Sequence, residues 1–253
     1  MPSLAILGAT GNLGSHVARQ ALDRDWDLSV AVRSPSRLPP DVAGRARVTT
    51  FDLTAVKMDE LARFIDGHDA LICCAGVVTE AEKFVSLLDR IVSAVETIQA
   101  AARPVSWFMA GAALLDLDLN GRRGVDLPKV RDTYWPHRVN FERLQRSSLD
   151  WRLLCPGPMV DQPSLGIDRL RISIDTLPSP LPAIARFLPS PLLLPMFVMK
   201  VPEMIIPYAD AATVMLNNAS IASPMSKKRV GIALPKGMRG KKSQWAAKPR
   251  DAA

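Results

Sequence analysis

The sequence has no run of about 18 uninterrupted apolar residues, the length a membrane-crossing helix needs, so a transmembrane span is excluded from expectation. Its three cysteines, Cys73, Cys74 and Cys155, form no C-x-x-C pair. An odd, unspaced set argues against a disulfide framework and against a metal site, and suits small buried hydrophobes in a reducing compartment. Residues 1–7 are too short and uncharged for a secretory signal, which sets the expectation of a cytoplasmic protein. No internal repeat and no second segment with its own core pattern is present. Acid is missing from residues 227–250, which hold nine basic side chains. Setting that stretch aside leaves 23 basic residues against 25 acidic, so the formal charge of +7 belongs to the end of the chain. The body is near neutral, and residues 236–253 read as a solvated basic tail, with nucleic-acid or membrane contact through it not expected.

What is present begins with "AILGATGNLGSHVARQAL", residues 5–22. Gly8, Gly11 and Gly14 stand three apart between a short apolar run and a segment whose Leu13, Val17, Ala18, Ala21 and Leu22 recur at helical spacing. That is strand, tight turn, helix. A helix starting there aims unpaired N–H groups and the positive end of its dipole at whatever lies over the turn, which favours a phosphate. Glycine removes the Cβ atoms that would hold a pyrophosphate off the backbone. A plain change of chain direction would use the same residues, and both readings stand at this point.

Apolar strands are predicted at 27–32, 46–51, 69–76, 104–111, 150–157 and 227–235, with helices between them. Thr79 and Glu82 form a capping-box pattern ahead of a helix running to about residue 102, and Gly67 is placed to end the helix before it. Pro136 is read as the start of a helix ending near Ser148. Alternation of this kind predicts an α/β fold with one doubly wound parallel sheet, a Rossmann domain over residues 1–235. Residues 157–207 form a proline-rich substrate-side segment that cannot be one helix. Its apolar residues 177–207 are expected to cover the crevice beyond the strand ends or to form a partner surface.

At the end of the second strand, an acid would accept from ribose hydroxyls and an arginine would accommodate a 2′-phosphate. This chain has Arg33, Ser34 and Arg37 there, two guanidinium groups and a hydroxyl suited to a phosphate; were the domain a nicotinamide-binding one, that would imply NADP, with NADPH preferred over NADH. A solvated basic loop is the competing reading.

The motifs "GATGNLG", "VRSPSRL", "DLT", "DALICCAG", "WFMAGAALL", "DWRLLCPG" and "IPYADAA" fall in one order along nearly the whole chain. In them the chain resembles the atypical short-chain dehydrogenase/reductase superfamily, within the NAD(P)H-binding group of NmrA-like proteins, flavin and biliverdin reductases and isoflavone-reductase-like enzymes. The resemblance implies that Gly8, Thr10, Gly11, Asn12, Leu13 and Gly14 wrap the pyrophosphate and that Asp52 and Leu53 lie near the adenine. It further implies that Cys74, Ala75 and Gly76 pass the nicotinamide ribose and that the backbone of Pro156 and Gly157 meets the nicotinamide amide.

Catalysis departs from the superfamily pattern. Many of its members use Ser, Tyr and Lys, the tyrosine of Y-x-x-x-K donating a proton. Here Tyr134 stands four residues before Arg138, Pro136 lies between them, and "FMAGAA" offers no serine. The proline argues against a regular helix carrying both residues. Tyr134 and His137, the latter read with a near-neutral pKa, remain the candidate proton donors, against structural roles for each. The reading is an NADPH-dependent reductase of a small flat, apolar or conjugated acceptor such as a flavin, quinone, tetrapyrrole or enone. Its alternative is a non-catalytic NmrA-like dinucleotide sensor.

Overall fold

A computed structural model describes residues 1–241. The chain opens with β1 (Ser3–Leu7), α1 (Asn12–Leu22), β2 (Asp27–Val32), a short α2 (Pro40–Ala43), β3 (Arg47–Thr50), α3 (Met58–Ile65) and β4 (Ala70–Cys73). It continues through α4 (Glu82–Thr97), β5 (Val105–Met109), α5 (Val130–Gln145), β6 (Trp151–Pro156), β7 (Met159–Val160) and β8 (Arg171–Ile174). Last come α6 (Ser190–Lys200), β9 (Ile206–Pro207), α7 (Tyr208–Asn217) and β10 (Lys228–Ala233).

Eight strands form the main sheet in the order β3-β2-β1-β4-β5-β6-β10-β8. Every pairing is parallel except that of β8 on β10, an antiparallel edge that apolar patterning did not predict. β7 and β9 pair separately. Because strand side chains alternate between faces, β1 sends Ala5 and Leu7 into one core and Leu4 and Ile6 into the other. Residues of α3, α4 and α5 close the first core, and residues of α1 and α7 close the second. This is the Rossmann arrangement. β1 lies between β2 and β4, where the winding reverses and sheets of this kind open a crevice at their carboxyl ends.

Three local expectations are corrected. The Thr79–Glu82 capping box does not form: Val78–Glu80 is a 3-10 turn, and Ala81, at φ +48°, precedes α4 without a side-chain cap. α4 also stops at Thr97, and a separate 3-10 turn covers Ala100–Ala102. Pro136 does not start α5 but lies inside it. An interior proline costs a helix roughly 3 kcal/mol. Here the burial of Pro136, His137, Asn140, Phe141 and Leu144 along one side, with α5 packed on α4, offsets that cost.

The first residues of the basic stretch lie in the strand expected at 227–235. Lys228 and Arg229 belong to β10, and Arg229 is buried on Asp116 and Asp175. Of the tail read over 236–253, residues 242–253 lie outside the described residues.

Candidate functional site

A cleft of about 420 Å³ opens at the carboxyl ends of β1, β2 and β4. From the glycine turn it is lined by Gly8, Thr10, Gly11, Asn12 and Leu13. The three glycines, alike in sequence, have three different surroundings. Gly8 sits at φ +87°, and a Cβ there would stand 2.8 Å from the Ala75 backbone nitrogen. At Gly14 a Cβ would fall 2.2 Å from the Gly8 carbonyl oxygen. Both are therefore demanded by chain packing. A Cβ on Gly11 would meet only the Gly8 oxygen, at 3.4 Å, an ordinary contact, and its φ of −83° suits any residue. The protein itself does not require glycine at position 11, yet that residue caps the open N-terminus of α1 on the cleft wall. No side chain caps α1, and no acid occupies its first turn. Free N–H groups and the helix dipole thus face the cleft, an arrangement suited to an anion.

From the end of β2 and the loop after it, Arg33 and Arg37 line the same cleft. Arg37 closes the 3-10 turn Pro35–Arg37, which Ser34 precedes. Ser34 itself is not among the lining residues. Neither guanidinium makes a hydrogen bond or ion pair within the described residues, so both donor forks are available to a ligand. Asp52, Leu53 and Thr54 follow from β3. The Asp52 carboxylate accepts from Thr54 N at 2.8 Å and Thr54 Oγ1 at 2.7 Å, bonds that, with the nearby Arg33 charge, hold it below the usual carboxylate range. Cys74, Ala75 and Gly76 complete the wall after β4. Burial raises all three thiols, which excludes thiolate chemistry near neutral pH.

Tyr208, at the start of α7, also lines the cleft, and sequence reasoning missed it as a site residue. Its hydroxyl accepts from Asn12 Nδ2 at 3.3 Å, and its ring stacks with His16 at 6.0 Å. The only signal was its place in "IPYADAA". Phe51, Val77, Glu80 and Leu87 add to the lining without any signal at all.

The remaining predicted residues lie outside that lining. Gly157 follows β6, and a Cβ there would meet the Met204 carbonyl oxygen at 2.5 Å, so the turn packs against the 3-10 turn Val201–Met204; Pro156 is buried beside it. No residue of the proline-rich segment 157–207 is among those that line the cleft. Tyr134 and His137 share α5, so Pro136 does not separate Tyr134 from Arg138 as expected. Arg138 turns to Asp126, at 3.9 Å. The Tyr134 ring stacks on His137 with centroids 6.0 Å apart, and His137 meets Phe84 edge to face at 5.7 Å. Phe84 in turn packs on Gly76. The pair is thus linked through Phe84 to the Gly76 end of the cleft, with His137 buried and Tyr134 exposed.

The near-neutral pKa expected of His137 is also corrected. Burial pushes its imidazole down to about 4, so it is neutral at physiological pH. Its Nδ1, together with both polar side-chain atoms of Asn140, has no partner among the described residues. Those residues also contain no group of three or more His, Cys, Asp and Glu arranged to hold a metal ion, and no helix long and apolar enough to cross a membrane.

A parallel sheet with a glycine turn, an open helix N-terminus and free cations at its reversal point defines a dinucleotide-binding Rossmann protein. Residues 8–179 match the family model described as NAD(P)H-binding. The chain belongs to that NAD(P)H-binding family. It is similar in structure to a candidate NADH-flavin reductase from Streptococcus pneumoniae, at 17% identity and a TM-score of 0.67, covering 92% of this chain and 100% of that one. A Rossmann-fold NAD(P)-binding family protein from Shigella flexneri aligns at 16% identity and a TM-score of 0.62, over 96% and 98% of the two chains. A short-chain dehydrogenase/reductase from Veillonella parvula aligns at 15% and 0.65, over 94% and 96%. At these identities the likeness is one of fold.

Proposed function

We propose that the protein is an NADPH-dependent reductase of a flat, apolar or conjugated acceptor of the flavin, quinone, tetrapyrrole or enone type. The observation that carries the reading is Gly11, a glycine that its own chain does not require, at the open end of α1. In this reading the turn from Gly8 to Gly14 binds the pyrophosphate through backbone N–H groups. Arg33 and Arg37, with Ser34 between them, hold the 2′-phosphate. Asp52 and Leu53 flank the adenine, and Cys74, Ala75 and Gly76 flank the nicotinamide ribose. The backbone of Pro156 and Gly157 meets the nicotinamide amide in this reading. NADPH, when bound, supplies the hydride.

The chain's own residues orient the cofactor and exclude water rather than relay a proton. His137 is neutral and buried, and Tyr134 has no serine or lysine partner, so the reading has the acceptor's proton come from solvent. Tyr134→Phe is accordingly expected to lower turnover less than tenfold, below about 1.4 kcal/mol in the barrier. A thousandfold loss would make Tyr134 the proton donor, since positioned acids contribute roughly 10² to 10⁴.

Cofactor preference has its own test. NADPH is expected to bind more tightly than NADH, and Arg33→Ala to remove about 1 to 3 kcal/mol of that difference as charge-assisted bonds to the 2′-phosphate are lost. Equal dissociation constants for the two cofactors in the unmodified protein would rule out the clamp. The same lack of an aligned donor favours a second reading, an NmrA-like sensor that binds the dinucleotide without turnover. Tight binding with no oxidation of NADPH by any acceptor would select it.

A further inference from the structure

Helix α6 buries Leu193 and Phe197 and turns Pro191, Leu192, Pro195, Val198 and Met199 to solvent. Separated by one, three and four positions, these five form a single stripe along the helix. The 3-10 turn before it, Ala183–Phe187, adds Ile184 and Phe187, 60% and 71% exposed. The Asn120 side chain donates to the Arg186 carbonyl at 2.9 Å, which ties the loop bearing Leu119, 80% exposed, to the same region. Large apolar side chains exposed together in this way mark a surface that meets something other than water.

The charges around the stripe say what. Residues 176–202 contain no Asp or Glu, and their only charged side chains are Arg186 and Lys200. Glu203, the nearest acid in sequence, is shared between Arg171 and Lys200. The Arg186 guanidinium lies 4.5 Å over the Phe187 ring. Past β10 the chain returns to this helix: Arg239 Nη2 donates to the Met199 carbonyl at 3.0 Å, and Gly240 N to the Pro202 carbonyl at 2.8 Å. The basic tail therefore departs from the end of the apolar stripe. Beyond Lys241 the sequence carries Lys242, Lys248 and Arg250 against the single acid Asp251.

We infer that this face docks on an anionic lipid surface. Apolar side chains enter the boundary between headgroups and acyl chains while adjacent cations meet lipid phosphates, two weak signals that together give stable attachment. At 11 residues α6 is too short to span a bilayer and lies along it. A second copy of the chain fits less well, because a twofold interface centred on this face would bring Arg186 and Arg239 towards their own counterparts with no acid of residues 176–202 to meet them. The tail is also a poor cover, since Trp245 is the one large apolar side chain in residues 242–253. Read from sequence alone, the tail is an isolated charge run; the contact of Arg239 with Met199 joins it to an apolar partner surface. None of these residues lines the cleft, so the inference is independent of the reductase reading.

The test is co-sedimentation of the full chain with vesicles of phosphatidylcholine alone and of phosphatidylcholine mixed with phosphatidylglycerol. Binding to the mixed vesicles, weak or absent on the neutral ones and reduced by high salt, is expected. Leu192→Glu with Met199→Glu should lower the partition at least about tenfold, and Arg186→Glu with Arg239→Glu by a similar factor. All four positions are exposed or half-exposed, and circular dichroism with thermal melting checks that the variants fold. Three results would each overturn the inference. One is no binding to the mixed vesicles, and another is undiminished binding of the Leu192/Met199 variant, which would reduce the effect to the tail alone. The third is a dimer in analytical ultracentrifugation that the Leu192/Met199 substitutions abolish.

Discussion

Gly11→Val is expected to weaken NADPH binding by at least about 3 kcal/mol, more than a hundredfold, while the fold is kept. A Cβ at this position meets no protein atom closer than 3.4 Å, and the residue's backbone angles are ordinary, so a side chain added here is expected to take ligand space rather than strain the chain. Gly14→Val makes the contrast. Its Cβ would fall 2.2 Å from the Gly8 oxygen, forcing α1 away from the turn, with a stability loss of about 3 kcal/mol as its first consequence. Cofactor titration and a thermal melt on both variants separate the two roles. Retained micromolar binding by Gly11→Val would show that the turn only redirects the chain.

Arg229→Met is expected to be the most damaging single change remote from the cleft, destabilising the protein by about 3 kcal/mol or more. Arg229 reaches Asp116 through two nitrogens, at 2.9 and 3.1 Å, and Asp175 at 3.3 Å, and it donates to the Leu114 carbonyl at 2.8 Å. Its guanidinium also lies 5.0 Å over the Phe141 ring. Removing the cation leaves the Asp116 carboxylate without its partner and Asp175 with Lys228 alone, at 3.4 Å, at the joint between β10, the β5–α5 connection and the end of β8. Exposed pairs such as Arg63–Asp59 set the comparison, at about 1 kcal/mol or less. Urea unfolding with an unchanged slope and a lowered midpoint checks it; a loss no larger than that of Arg63→Ala would show the network to be dispensable.

What could be read in the sequence was what local chemistry decides. β2 falls on residues 27–32 as predicted, and α7 follows the apolar pattern of 208–218 within a residue, because period and burial agree there. Gly67, at φ +77°, follows α3 where a helix-ending glycine was expected. The failures belong to tertiary structure. Pro136 violates helix propensity and is overruled by the packing of α5. β8 exists because β10 offers it an edge, and the alternation of "RISI" does not announce an antiparallel direction. In the site, the glycines and arginines were legible by type and spacing. Tyr208 was not, because it comes to the cleft from a helix nearly 200 residues away in sequence and contacts Asn12 only through the fold. Nor could sequence show that His137 is buried behind Phe84, which is what lowers its pKa. The different duties of Gly8, Gly11 and Gly14 likewise appear only when their neighbours do.

Oxidation of NADPH by the purified protein, followed by nicotinamide absorbance across a panel of flavins, quinones, linear tetrapyrroles and conjugated enones, bears most directly on the proposed activity. Turnover with at least one class, slower with NADH and lost in Gly11→Val, is the expected result. Tight NADPH binding with no oxidation by any member of the panel would contradict it and leave the protein a dinucleotide sensor.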